Sequence, residues 1–96
     1  MITWKDRHRH CVPVSSKTEI EGFEITIRHP FNHRQWFVTT MMVHSEIDLP
    51  NIKLCDETPL SSSLLDDAKD EALNLVAGKI YRLTAKLQKI AGEIQK

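Results

Sequence analysis

Residues 63–95 read SLLDDAKDEALNLVAGKIYRLTAKLQKIAGEIQ, and their apolar spacing decides the fold. Leu73, Ile80, Leu87 and Ile94 recur every seventh position, and so do Val76, Leu83 and Ile90. The two series interleave in steps of three and four, the a/d seam of a coiled-coil-like amphipathic helix. Ala77, Thr84 and Ala91 keep one flank of that seam small, which lets another element approach closely, while Lys79, Lys86 and Glu93 line the other. Asp66, Asp67, Asp70 and Glu71 open the stretch and Lys79, Arg82, Lys86, Lys89 and Lys96 follow, a gradient that complements the helix dipole. Ser61-Ser62-Ser63 offers N-cap residues, and Ser63 with Asp66 forms a capping-box-like S-x-x-D. A C-terminal helix within residues 61–96 follows.

That helix poses a length problem. Thirty-three helical residues would span about 50 Å, whereas a compact 96-residue domain is only about 33 Å across. An unbroken helix overhangs its own sheet by roughly 15–20 Å, with Leu87, Ile90 and Ile94 on the overhang. Either Gly78 ends a first helix and the chain folds back, or the helix is continuous and its end pairs with another chain. A helical glycine costs about 1 kcal/mol, too little to force a break. The apolar phase also passes Gly78 without a slip. Continuity, and with it a homodimer, is the expectation.

Upstream, Phe23, Ile25 and Ile27 alternate with Glu24, Thr26 and Arg28, the period of a half-buried strand within residues 19–29. Gly22 is placed in a bulge at its front. His29-Pro30-Phe31-Asn32-His33-Arg34 supplies a break, and residues 35–44 read as a second strand, apolar on both faces and so centrally placed. Residues 45–50 read as a loop, residues 51–55 as a short third strand and residues 56–59 as its end. Residues 1–17 form an arm or an edge strand, with Ser15-Ser16-Lys17 as a turn. Strands first and a helix last give a small α+β fold. It is a mostly antiparallel three- or four-stranded sheet with one long C-terminal amphipathic helix packed on one face. The chain is one domain, with residues 19–55 as its sheet.

Composition narrows the function classes. Thirteen basic and thirteen acidic residues cancel, so no global field favours nucleic acid or an anionic membrane. No eighteen-residue apolar run or leader-like segment is present, and a cytoplasmic protein with reduced thiols is expected. His8, His10 and Cys11, with His29, His33 and Cys55, are the only clustered metal-ligand types. They lack a C-x-x-C, and His29 and His33 straddle a proline turn, so no metal and no cofactor is expected. No activated nucleophile is legible and the acidic helix start lacks the glycine of a calcium loop, so no catalytic residue is expected and the chain reads as non-enzymatic.

Two binding readings remain. In the first, the chain is a protein-binding module that dimerises through Leu73, Val76, Ile80, Leu83, Leu87, Ile90 and Ile94, with Phe31 and Trp36 as a further partner surface. In the second, nucleic acid meets Arg7 and Arg9 on the N-terminal arm and Lys79, Arg82, Lys86 and Lys89 on the helix. In outline, the strands followed by a helix opening Asp66-Asp67-Ala68-Lys69-Asp70-Glu71-Ala72 resemble short phage- or plasmid-borne accessory proteins, HicB-like antitoxins and small inhibitors of host defence among them. The glycine-rich elements of a HicB-like domain are missing. The resemblance implies only that a regulator or inhibitor of another protein is the form a binding module would take.

Overall fold

The computed structural model describes residues 2–30, 35–42 and 54–96. Five strands, β1 (Lys5–Arg9), β2 (Val12–Ile20), β3 (Phe23–Arg28), β4 (Phe37–Met42) and β5 (Thr58–Pro59), precede one helix, α1 (Leu65–Ile94). The strands lie in chain order in one sheet, and every neighbouring pair is antiparallel. The α+β architecture is the expected one; the strand count is higher because the arm is itself a hairpin.

Two tight turns set the registers. His10 and Cys11 join β1 to β2 at φ of 52° and 65°, and Glu21 and Gly22 join β2 to β3 at 52° and 79°. Positive φ at both central residues matches the twist of the flanking strands. Gly22 therefore serves a hairpin turn, which its missing Cβ makes inexpensive, and not the bulge expected there. The bulge lies in β2, where Ser15 pairs with Arg7 and Pro13 with His8, leaving Val14 without an opposite residue. Proline is tolerated beside such a bulge.

Ser15-Ser16-Lys17, expected as a turn, lies within β2. Ser16 and Thr18 are buried on its inner face. Their hydroxyls are satisfied locally: Ser16 Oγ donates to the Asp6 carboxylate, and Thr18 Oγ1 to the Thr3 carbonyl at 2.8 Å. A buried polar row of this kind carries no hydrophobic alternation, which is why the sequence pattern missed it.

The core forms between β3, β4 and the first half of α1. Ile25, Ile27, Val38 and Thr40 share the inner face, on which Ala68, Ala72 and Val76 pack at helical spacing. Two alanines in that stripe bring the helix close to the strands. Trp36, Cys55 and Leu60 close the edge of this cluster. The outer face of β4 is only partly apolar: Phe37 and Thr39 are half-buried and Met41 is exposed. The expected central place of this strand holds, since β4 pairs with β3 on one side and β5 on the other; Val43 and His44 lie outside the described residues.

The third predicted strand is corrected at its described end. Asn51–Lys53 and the predicted loop at 45–50 lie outside the described residues, while Leu54 and Cys55 are not strand. They are held to β4 by Thr40, whose Oγ1 accepts the backbone N–H groups of Leu54 at 3.1 Å and Cys55 at 3.0 Å. Pairing with β4 resumes only at Thr58–Pro59, the residues expected to end the strand.

Helix α1 begins at Leu65 with Leu64 at its cap position and no side-chain cap hydrogen bond, so the Ser63/Asp66 box does not form. Glu71, inside the helix, instead ties down the segment that precedes it. Its carboxylate accepts the N–H groups of Ser61 at 2.7 Å and Ser62 at 2.9 Å, and both serine hydroxyls. The Ser61 N–H foremost, with the Ser62 hydroxyl behind it, holds the Glu71 carboxyl below its ordinary range. The helix then runs unbroken through Gly78 to Ile94.

Candidate functional site

The thirty residues of α1 rise about 45 Å, against lateral extents of 27 and 23 Å for the molecule. The long axis is 58 Å and the radius of gyration 15.5 Å, above the roughly 12–13 Å of a compact chain this size. The helix therefore overhangs.

The seven seam residues divide accordingly. Val76 is buried against β3 and β4, and Leu73 packs beside it, so these two serve the protein's own core. Leu83 is half-buried. Beyond the sheet, Ile80, Leu87, Ile90 and Ile94 are 40, 55, 46 and 77% exposed. Ile80 to Ile94 spans about 21 Å of helix, one apolar stripe in continuous phase with the part that meets the sheet. Its surroundings are sparse. Among the described residues the second half makes only two side-chain hydrogen bonds, Thr84 Oγ1 donating to the Ile80 carbonyl at 2.9 Å and Lys96 Nζ to Glu93 at 3.3 Å, both within its own turns.

The first half is pinned. Lys69 Nζ lies 3.0 Å from the Asp6 carboxylate and over the Trp4 ring, 5.8 Å from its centre. Asp6 is held below the ordinary aspartate range, mainly by the Ser16 hydrogen bond and then by Lys69. Lys79 Nζ donates to the Leu54 carbonyl at 2.9 Å, at the point where the helix leaves the sheet.

Trp36 does not form a second partner surface. Trp36 is 2% exposed, its Nε1–H donates to the Ser63 carbonyl at 3.1 Å, and its ring packs at 5.1 Å from that of His29. It is a core residue that seats the start of α1; Phe31 lies outside the described residues. The expected nucleic-acid surface is likewise divided. Lys79 is engaged with Leu54, and Asp6, the residue before Arg7, is anchored at Lys69. Lys86 comes seventeen residues later on α1, roughly 25 Å along the axis. Arg7 and Arg9 therefore do not share a patch with Lys86 and Lys89. They meet instead two residues that sequence reading did not connect to them. Arg28 pairs in register with Ser15, itself opposite Arg7, and the His29 N–H donates to the Val14 carbonyl at 2.9 Å. Only the strand pairing brings these together, so no local signal could have found them.

Both cysteines are free, Cys11 exposed in the turn and Cys55 buried. Among the described residues no Ser, Thr or Cys side chain is hydrogen-bonded to a histidine. No group of three or more His, Cys, Asp or Glu there could hold a metal ion. No described helix is long and apolar enough to cross a membrane. Neither a protein-family model, nor a curated protein, nor a solved structure matches the chain.

Proposed function

We propose that this chain is a non-catalytic, cytoplasmic protein-binding module that works as a homodimer, joined through the free half of α1. One observation carries the reading: the seam continues in phase past Val76, its last buried residue, leaving Ile80, Leu87, Ile90 and Ile94 exposed among the described residues. Single exposed apolar residues are ordinary, but a periodic stripe is the form of an interface.

A second copy fits the stripe in antiparallel register. Ile80 then faces Ile90 of the other copy and Leu83 faces Leu87, four layers centred on Ala85. The same register sets Lys79 near Glu93 at both ends, sets Lys86 beside its own counterpart at the centre, and places Thr84 against its own counterpart on the small flank. The tip of each helix reaches the point where the other leaves its sheet, so both overhangs are covered at once. A parallel pair would set the lysine flank against Thr84 and Ala91, with no opposite charge.

Magnitudes make this a weak dimer. Eight half-exposed aliphatic side chains contribute about 1 kcal/mol each on burial, roughly half of the full-burial value. Association costs at least about 4 kcal/mol. The remainder, at most about 4 kcal/mol, corresponds to about millimolar dissociation or weaker. Light scattering across a hundredfold dilution from the millimolar range should show the mass falling from well above 11.1 kDa towards 11.1 kDa. A monomer at every concentration, with helical circular dichroism intact, would sink the reading.

A further inference from the structure

The β1–β2 hairpin projects past the end of β3, because β2 pairs with β3 only from Ser15 onward. The projection curls at the Val14 bulge and encloses, with the end of β3, an open groove of about 880 Å³. Every ionisable residue lining it is basic or imidazole: Arg7, His8, Arg9 and His10 from the hairpin, Arg28 and His29 from β3. Val12, Val14 and Pro30 give it an apolar side. We propose that this groove binds the phosphate backbone of single-stranded nucleic acid. It lies apart from the helix seam, so the assignment goes beyond the dimer and does not depend on it.

The register supplies the geometry. Arg7, Ser15 and Arg28 stand opposite one another on three successive strands. With strands about 4.8 Å apart, two guanidinium-bearing residues flank a hydroxyl across about 10 Å of sheet. Guanidinium forks match phosphate oxygens, and a serine hydroxyl can donate between them. Arg28 carries one counter-charge, its pairing with Glu57, whereas Arg7 and Arg9 are exposed and have no ion pair among the described residues. A cleft rimmed by Val12 and Pro30 suits one flexible strand better than a rigid duplex.

Two plainer accounts explain less. Lysine and arginine on an edge strand discourage sheet-to-sheet aggregation, which accounts for β1 but not for Arg28 and His29 closing the same groove. Three histidines suggest a metal, yet they do not converge into a ligand set. The hairpin tip also holds His10 and Cys11 at positive φ, at roughly 1–2 kcal/mol each, where Asn-Gly would relax the turn. Strain of this kind gathers where a segment serves a site.

The test is fluorescence anisotropy of a labelled twenty-nucleotide oligothymidine at 50 to 200 mM salt, with the full chain and with Arg7→Ala/Arg9→Ala. Both arginines are exposed, so the fold should survive, which circular dichroism checks. The expected result is salt-sensitive binding that the double variant weakens at least tenfold. The log–log salt slope should shrink by about 1.4, two contacts at about 0.7 each for a single strand. Lys86→Glu/Lys89→Glu should leave binding within twofold. No binding at 50 mM salt, binding indifferent to Arg7 and Arg9, tighter binding of a duplex of the same length, or equal competition by polyglutamate would each overturn it. Light scattering of the double variant should match the parent at every dilution, so a failed groove and a failed dimer are read separately.

Discussion

The two halves of α1 obey one pattern and meet different surroundings. Residues 65–79 bury Ala68, Ala72 and Val76 and are tied down by Glu71 to Ser61 and Ser62, by Lys69 to Asp6, and by Lys79 to Leu54. Residues 80–94 carry the same heptad spacing, and none of them is buried among the described residues. An apolar period specifies that a contact exists and which face makes it. It does not say whether the covering surface belongs to the same chain. The difference also separates two kinds of stability: the first half holds the fold, and the second has stability to gain only from a partner.

The largest contrast comes from placing one charge in each half. Val76→Asp puts an unpaired carboxylate into a core position that is 2% exposed, and should cost about 3–5 kcal/mol, enough to unfold much of a marginal domain. Ile90→Asp should leave monomer stability within about 0.5 kcal/mol, yet abolish the dimer at the highest concentration. Urea denaturation and light scattering on the two variants read both effects. Ile90→Asp destabilising the dilute monomer as much as Val76→Asp would show that the overhang packs on its own sheet.

How far the sequence alone could reach follows the same divide. The seam, the β3 alternation and the continuity through Gly78 were legible, because each rests on apolar periodicity over many residues. Ser15-Ser16-Lys17 misled because Ser16 and Thr18 are buried through hydrogen bonds to Asp6 and Thr3, partners ten or more residues away. The helix start misled for a related reason: three consecutive serines advertise a cap, while the acceptor that uses two of them is Glu71, inside the helix. Of the candidate sites, the exposed seam was readable as a length mismatch. The groove was not, since Arg28 and His29 reach Arg7 only through strand register.

Acid should act on the attachments of the first half. The carboxyls of Asp6 and Glu71 both sit below their ordinary values in the fold. A depressed carboxyl contributes stability above its unfolded pKa, about 3.9 for Asp and 4.3 for Glu, and that stability is lost as pH falls through the folded value. Stability should therefore hold down to about pH 4.5 and decline below it. Glu71→Gln should cost about 1–2 kcal/mol at neutral pH, discounted for its partial exposure, and flatten the decline. Glu93→Gln, on the second half, should leave the profile of a dilute monomer unchanged. Denaturant midpoints between pH 3 and 7 decide it, and an equal response to both substitutions would erase the distinction between the halves.

The smallest effects are the sharpest probe, because two glycines sit on opposite sides of the divide. A Cβ built at Gly78 or at Gly92 meets nothing within 4 Å, so alanine at either site stabilises helix by about 0.4–1 kcal/mol. Gly78 lies between Val76, packed in the core, and Lys79, bonded to Leu54, so its gain should appear in full in global unfolding at any protein concentration. Gly92 lies two residues from the helix end, in turns that open locally in a monomer without unfolding the rest. Its gain should be nearly absent from dilute denaturation curves and emerge at concentrations where the overhangs pair. Denaturation at two concentrations, with amide exchange over residues 80–94, separates the cases. A Gly92→Ala gain equal to that of Gly78→Ala in the dilute protein would mean the second half already belongs to the cooperative unit of a single chain, and the partner would no longer be needed to explain its seam.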